Sequence, residues 1–152
     1  MAPYFLDTCV VLSLLRGNEL GERLDTRFGL RDRAERHLIS IVTHGELRAI
    51  AKQNKWGDTK LAALETSLQN LVTVDINQRA VIDAYVAVDH VRYNFPSGSR
   101  SIGQNDLWIA ASTLAAGSIL ITTDKDFLPL APGLFELAYV DPDDRGGSAE
   151  KG

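Results

Sequence analysis

The chain has 152 residues, 45% of them hydrophobic and 24% charged, with a formal net charge of −4 at pH 7. That balance fits one globular domain around one core and excludes a helical membrane span, since no apolar run approaches the roughly 20 residues one needs. A single cysteine, Cys9, excludes an internal disulfide and a cysteine zinc cage, and His37, His44 and His90 show no paired ligand spacing.

The first residues, Met1 to Asp7, lack the basic region and long apolar stretch of a signal peptide, so a cytoplasmic protein is expected. The acidic balance argues against simple electrostatic binding of nucleic acid. The charge is uneven, however: residues 1–60 hold ten Lys and Arg against eight Asp and Glu. Arg23, Arg27, Arg31, Arg33 and Arg36 crowd one segment. They are read either as an edge facing RNA or a partner, or as a solvated helical face shared with Glu22, Asp25, Asp32 and Glu35.

In chain order, Tyr4-Phe5-Leu6 reads as a short buried strand and Cys9 to Arg16 as an apolar helix closed by Gly17. Residues 18–36 read as a polar helix. His37 to Val42 is β-branched enough for a second strand, and Thr43 opens a helix to about Lys55, broken at Trp56-Gly57-Asp58. Leu61, Leu64, Leu68 and Leu71 then mark one stripe of an amphipathic helix. Leu71 to Ile76 reads as a third strand and Gln78 to Tyr93 as a helix, with Val81, Ile82, Tyr85, Val88 and Val91 in register. Phe95 to Ser101 is a loop by its turn residues. Asp106 to Ala116 is a helix, Ser118 to Thr122 a buried strand, Thr123 to Phe127 a turn into a short helix, and Phe135 to Val140 a last strand. Residues 1–140 thus form one domain, and 141–152, rich in Asp, Gly and Ser, are expected to be a disordered tail. Strands alternating with helices predict an α/β fold, a three-layer α/β/α sandwich with a central parallel sheet.

Ligands bind such sheets outside the carboxyl ends of the strands, and there the acids gather. Asp7 follows the first strand, Glu46 the second, and Asp124 and Asp126 the Ile121-Thr122-Thr123 strand end. Asp106 lies in the first turn of the helix after the Ser-Gly loop. Each acid alone is explained by helix capping, and Thr43-x-x-Glu46 has the capping-box pattern. Capping does not explain why three apolar strands aim acids at one edge. Crowded carboxylates repel one another and call for a cation between them, and Mg²⁺ and Mn²⁺ prefer such oxygen ligands.

Four segments also resemble the PIN-domain nucleases, especially the VapC toxins of bacterial toxin–antitoxin pairs. They are Phe5-Leu6-Asp7-Thr8, Ile41 to Leu47 (IVTHGEL), Ile102 to Ala111 (IGQNDLWIAA) and Leu120 to Phe127 (LITTDKDF). The likeness covers about residues 3–140. It implies a PIN-like fold and an endoribonuclease dependent on Mg²⁺ or Mn²⁺. Asp7, Glu46, Asp106 and Asp124 would be its catalytic, metal-binding acids, with Asp126, Thr8 and Thr123 as accessories. It also implies an RNA substrate, a homodimer and a VapB-like antitoxin. Cys9 departs from the Asn or Ser often found there, and is read as a small buried residue of the first helix.

Three further residues bear on the site. The 97–101 loop reads as a flexible connector ahead of a phosphate-steering one, with Arg100 as the candidate RNA contact. Trp108 is read as core packing ahead of base stacking, and His44 as a surface or capping residue ahead of a general base. Alternative readings are a non-catalytic PIN-like module binding RNA or protein, and a housekeeping PIN nuclease. A small phosphatase would usually carry an Asp-x-Asp motif after the first strand, which Asp7-Thr8-Cys9 lacks.

Overall fold

The structure is a computed structural model that describes residues 2–32, 34–94 and 102–144. In chain order the elements are β1 Tyr4–Leu6, α1 Thr8–Arg16, α2 Glu19–Phe28, β2 Leu38–Ser40, α3 Ile41–Gln53, α4 Asp58–Gln69 and β3 Val72–Val74. They continue with α5 Arg79–Asn94, α6 Gln104–Ala115, β4 Ile119–Thr122, a 3-10 helix Lys125–Leu130 and β5 Glu136–Tyr139. The strands form one sheet in the order β3-β2-β1-β4-β5, and every pairing is parallel. The expected three-layer α/β/α architecture is the one observed. No helix among the described residues is long and apolar enough to cross a membrane.

Strands covered on both faces read as continuous apolar runs, and alternate side chains serve opposite layers. Leu6, Ile39 and Ile121 pack with Val10, Val11, Leu24, Leu47, Leu64 and Leu68 from α1 to α4 on one face. Phe5 and Leu120 pack with Val88, Leu107, Ile109, Phe127 and Leu130 on the other. The register Leu6↔Ile121 holds this division in place.

Helix ends follow local chemistry. Gly17 closes α1 at φ 61, its N–H donating to Ser13 and Leu14 carbonyls at 3.1 and 3.3 Å; a side chain would be strained there. Asn18 then caps α2, accepting from the Gly21 N–H at 2.8 Å. α2 starts close against α1, so a Cβ added at Gly21 would meet the Ser13 carbonyl oxygen at 2.2 Å.

Several boundaries differ from the sequence-based expectation. The strand read over 37–42 ends at Ser40, whose side chain accepts from the Val42 N–H at 3.0 Å and starts α3 at Ile41. Thr43 and Glu46 are therefore inside α3 and form no capping box. The polar helix expected over 18–36 stops at Phe28, closed by left-handed Gly29. The arginines beyond and within it are largely engaged internally. Arg31 pairs with Glu22 and Asp25, Arg27 lies over the Phe28 ring at 5.0 Å, and Arg23 donates to the Asp141 and Asp144 carbonyls. Arg33, the 95–101 loop with Arg100, and residues 145–152 lie outside the described residues.

Substituting Gly21→Ala drives a methyl group into the α1 backbone, so the helices must separate. The expected loss is about 1–3 kcal/mol, the usual range for overpacking, read as a lower urea midpoint. An unchanged midpoint would show that α2 docks with more slack than these distances allow.

Candidate functional site

The chain builds the sheet outward from β1 through β2 to β3, then crosses back to β4 and β5 on the other side. The strand order reverses between β1 and β4. Loops leaving their carboxyl ends diverge there and open the crevice where sheets of this kind bind ligands. Asp7 sits one residue beyond β1 and Asp124 two beyond β4. Glu46 comes from α3, and Asp106 lies in the first turn of α6.

Hydrogen bonds tie these groups together. Asp7 is 4% exposed. Its Oδ1 accepts from the Thr8 N–H at 2.8 Å, and its Oδ2 accepts from the Thr122 hydroxyl at 2.6 Å and the Cys9 thiol at 3.3 Å. The Thr122 hydroxyl also accepts from the Asp124 N–H at 3.0 Å, so one buried side chain spans two acids. Asp124 caps the 3-10 helix, its Oδ1 accepting from the Asp126 N–H at 2.9 Å. On the other side the Thr8 hydroxyl donates to Glu46 Oε1 at 2.6 Å and lies 2.9 Å from the Thr43 hydroxyl. The Asn105 amide approaches Glu46 Oε2 at 3.4 Å.

The electrostatics report the same convergence. Asp106 is half-buried, and its carboxyl is pushed up to about 7, first by burial and then by Asp7, Asp124, Glu46 and Asp126 in that order. Burial likewise raises Asp7, against the opposing hydrogen bonds from Thr122, Cys9 and Thr8, with the Asp124 charge adding to the rise. Burial and then the neighbouring Asp7 carboxylate push the Cys9 thiol up to about 12. It is a hydrogen-bond donor here and not a nucleophile. Among the described residues none of these five acids makes an ion pair. No group of three or more His, Cys, Asp or Glu among them stands arranged to hold a metal ion as it is.

Asp7, Glu46, Asp106, Asp124 and Asp126 are thus brought into one electrostatic neighbourhood, and Thr8 joins it. Thr123 does not reach an acid: its hydroxyl donates to Cys9 Sγ at 3.0 Å. His44 shares a 2.8 Å hydrogen bond with Thr73 on β3 and is turned to the sheet's edge strand. Trp108 stacks on Tyr85 at 4.1 Å, as core packing would have it. Sequence reasoning missed Thr122, Thr43 and Asn105, and took Cys9 for inert filling. The signal for Thr122 was its register: it follows Ile121, which pairs with Leu6, as Asp7 follows Leu6.

Against known proteins, the chain is 24% identical over 124 residues to "Ribonuclease VapC2" of Haemophilus influenzae, covering 82% of this chain and 88% of that one. Among solved structures it resembles VapBC2 from Rickettsia felis bound to a promoter DNA fragment. The TM-score is 0.73 at 19% identity, over 91% of this chain and 98% of the other. VapBC-1 from nontypeable Haemophilus influenzae gives a TM-score of 0.68 at 22% identity, over 90% and 96%. These likenesses share the fold. The PIN domain family model matches residues 4–131. With nearly the whole described sheet inside that match, the chain belongs to the PIN domain family.

Proposed function

We propose that this protein is a divalent-cation-dependent endoribonuclease of the VapC type, the toxin of a toxin–antitoxin pair. The observation that carries the reading is the meeting of acids from four distant segments at the sheet's switch point, where burial and then the neighbouring carboxylates push Asp106 up to about 7. The names of similar proteins, a ribonuclease and a toxin–antitoxin complex from Klebsiella pneumoniae, support it.

The donor set fits a hard cation. It is all oxygen, carries several negative charges, and lacks an ion-paired Lys or Arg among the described residues. Asp7, Asp106 and Asp124 would hold Mg²⁺ or Mn²⁺. Such a cation supplies charge neutralisation and Lewis acidity at a phosphoryl oxygen. The chain's own side chains supply placement. Thr122 fixes Asp7 against Asp124, and Thr8 fixes Glu46 so that its carboxylate can orient a water toward the phosphorus. The water oxygen bonds to phosphorus and loses a proton to solvent, the P–O bond to ribose breaks, and the leaving oxygen takes up a proton from solvent.

A protein partner that covers these acids would act as an antitoxin. A second copy also fits this reading: Ile82, Val86 and Tyr93 lie exposed along α5 at 44, 63 and 68%.

Asp7→Asn keeps the cap bond and deletes a buried charge. RNA cleavage with Mg²⁺ is expected to fall to background, and growth arrest on expression to disappear, while thermal stability holds or rises. Cleavage at the wild-type rate would reject the assignment.

Thr122→Val keeps the shape and removes both bonds. Outer partners of this kind are typically worth about 10–100-fold in metal affinity or activity, so a fall in cleavage of that order is expected. Circular dichroism should stay close to wild type. Full activity would reduce Thr122 to a packing residue.

Asp106 is raised from 3.8 to about 7, so the folded state holds more protons than the unfolded chain between those values. The metal-free protein should therefore lose stability as pH rises through that window and level off above it. Added Mg²⁺ should restore stability at neutral pH in the wild type and far less in Asp7→Asn. Melting temperatures measured from pH 5 to 8 with and without Mg²⁺ check the sign.

A further inference from the structure

The Thr123 hydroxyl reaches no acid, yet it is joined to one through sulfur. It donates to Cys9 Sγ at 3.0 Å, and the Thr123 backbone N–H faces the same atom. A thiol carries a single hydrogen. With Thr123 on one side of the sulfur, that hydrogen turns the other way, to Asp7 Oδ2 at 3.3 Å. Thr123, Cys9 and Asp7 thus form a chain of hydrogen bonds in which each donor is polarised by the one behind it.

The two ends of this chain matter. Thr123 directly precedes Asp124 on the segment leaving β4, and Cys9 lies two residues after Asp7 in the first turn of α1. The pair therefore joins the same two acids that Thr122 joins directly. With the Thr8 N–H on Oδ1, and Thr122 and Cys9 on Oδ2, three of the roughly four lone-pair positions of the Asp7 carboxylate are filled. The plane of the carboxylate is then set at both oxygens. Packing alone accounts for less. Cys9 is only partly buried against the first core, where an alanine would fill most of the same space. Sulfur is a weak acceptor and the Thr123–Cys9 contact is only part-buried, so escape from desolvation is not what holds the hydroxyl there.

We propose that Thr123 is a positioning residue of the acid site and acts through Cys9: the hydroxyl aims the thiol, and the thiol holds Asp7 in a fixed orientation to Asp124 for a divalent cation. The proposal deepens the cation reading of these acids and rests on it, but not on RNA as the substrate. Cys9 is neither ligand nor nucleophile in it. What Cys9 supplies is one hydrogen at Oδ2.

The test measures Mn²⁺ binding to the full chain by calorimetry. Partners that orient a metal-binding carboxylate are typically worth about 10–100-fold in affinity, and a thiol is a weak donor, so Cys9→Ala should lose about tenfold. Thr123→Val keeps the shape and should lose affinity in the same direction. In the double variant the loss should equal that of Cys9→Ala alone, because no thiol is left to aim. Cys9→Ser keeps a hydrogen for Asp7 and an acceptor for Thr123, and should restore wild-type affinity. Cys9 is the only cysteine, so the infrared S–H stretch of the metal-free protein reports this one bond. The band should lie below that of an unbonded thiol and rise in Thr123→Val. Should Cys9→Ala not fold, Thr123→Val and the infrared band still decide the question. Equal Mn²⁺ affinity in wild type and both single variants, independent losses that multiply in the double variant, or an S–H band at the unbonded frequency would overturn the proposal. A wild-type chain that takes up no Mn²⁺ would overturn it together with the cation reading. The expected affinities in a chain that cleaves no RNA would support it and remove the nuclease reading alone.

Discussion

A carboxylate taken out of water is the constraint around which this end of the molecule is organised. Asp7 is almost fully buried, and desolvation favours its neutral form. A backbone N–H, a hydroxyl and a thiol converge on it and oppose that rise without cancelling it. Hydrogen bonds to a charged group are worth roughly 1.5–3 kcal/mol each, so no single donor can offset the burial. The three come from α1 and β4, which ties the position of the acid to the pairing of β1 with β4. A one-residue slip in that pairing would carry Asp7 past Thr122 and turn Leu6 toward the wrong layer. Core packing and site assembly are thus specified by the same register, Leu6↔Ile121.

Capping and chemistry are not competing uses of these acids. A carboxylate offers about four lone-pair sites on two oxygens. Asp7 spends Oδ1 on the first N–H of α1 and keeps Oδ2 for the crevice side, where Thr122 and Cys9 meet it. Asp124 spends Oδ1 on the Asp126 N–H in the same way. The helix start orients the side chain, and the second oxygen carries what the site requires. An acid aimed at a sheet edge by its own cap is held more firmly than one on a free loop.

The order and type of elements were legible because both-faces-covered strands and one-face-covered helices leave different apolar periods. Tyr4-Phe5-Leu6 and Ile119-Leu120-Ile121 are short runs with no polar break, and α1 and α4 carry leucines and valines at helical spacing. What was not legible was decided by tertiary contact. Ile41 and Val42 have strand-forming side chains, yet the Ser40 hydroxyl captures the Val42 N–H and the chain turns helical two residues early. Of the adjacent threonines at the end of β4, residue type gave no ground for choosing. Thr122 lies beside Asp7 because β4 pairs with β1, and strand order cannot be read along one chain. Cys9 reads from sequence as a small buried residue of the first helix, and only the fold shows its thiol donating to the neighbouring carboxylate. The likeness to PIN-domain proteins pointed to the acids that the fold brings together and to the Thr8 hydroxyl, and it named Thr123 where Thr122 is the residue that meets Asp7.

The site holds its charge at the expense of the fold. Asp106 is raised first by burial and then by four other carboxylates that face it across a half-buried space. Every one of those repulsions disappears when the chain unfolds, so at neutral pH the metal-free protein is less stable than its core alone would make it. Under the proposed function a divalent cation would relieve that repulsion, and by binding the folded arrangement preferentially it would stabilise it by mass action. The same relief is what an RNA phosphate needs, since a bare acidic crevice repels a polyanion. On that reading the site would couple three things through one set of oxygens: cation occupancy, local stability and access of substrate. A partner that sends a basic side chain into the crevice would satisfy the same carboxylates as the cation, and would stabilise the fold while it excludes RNA.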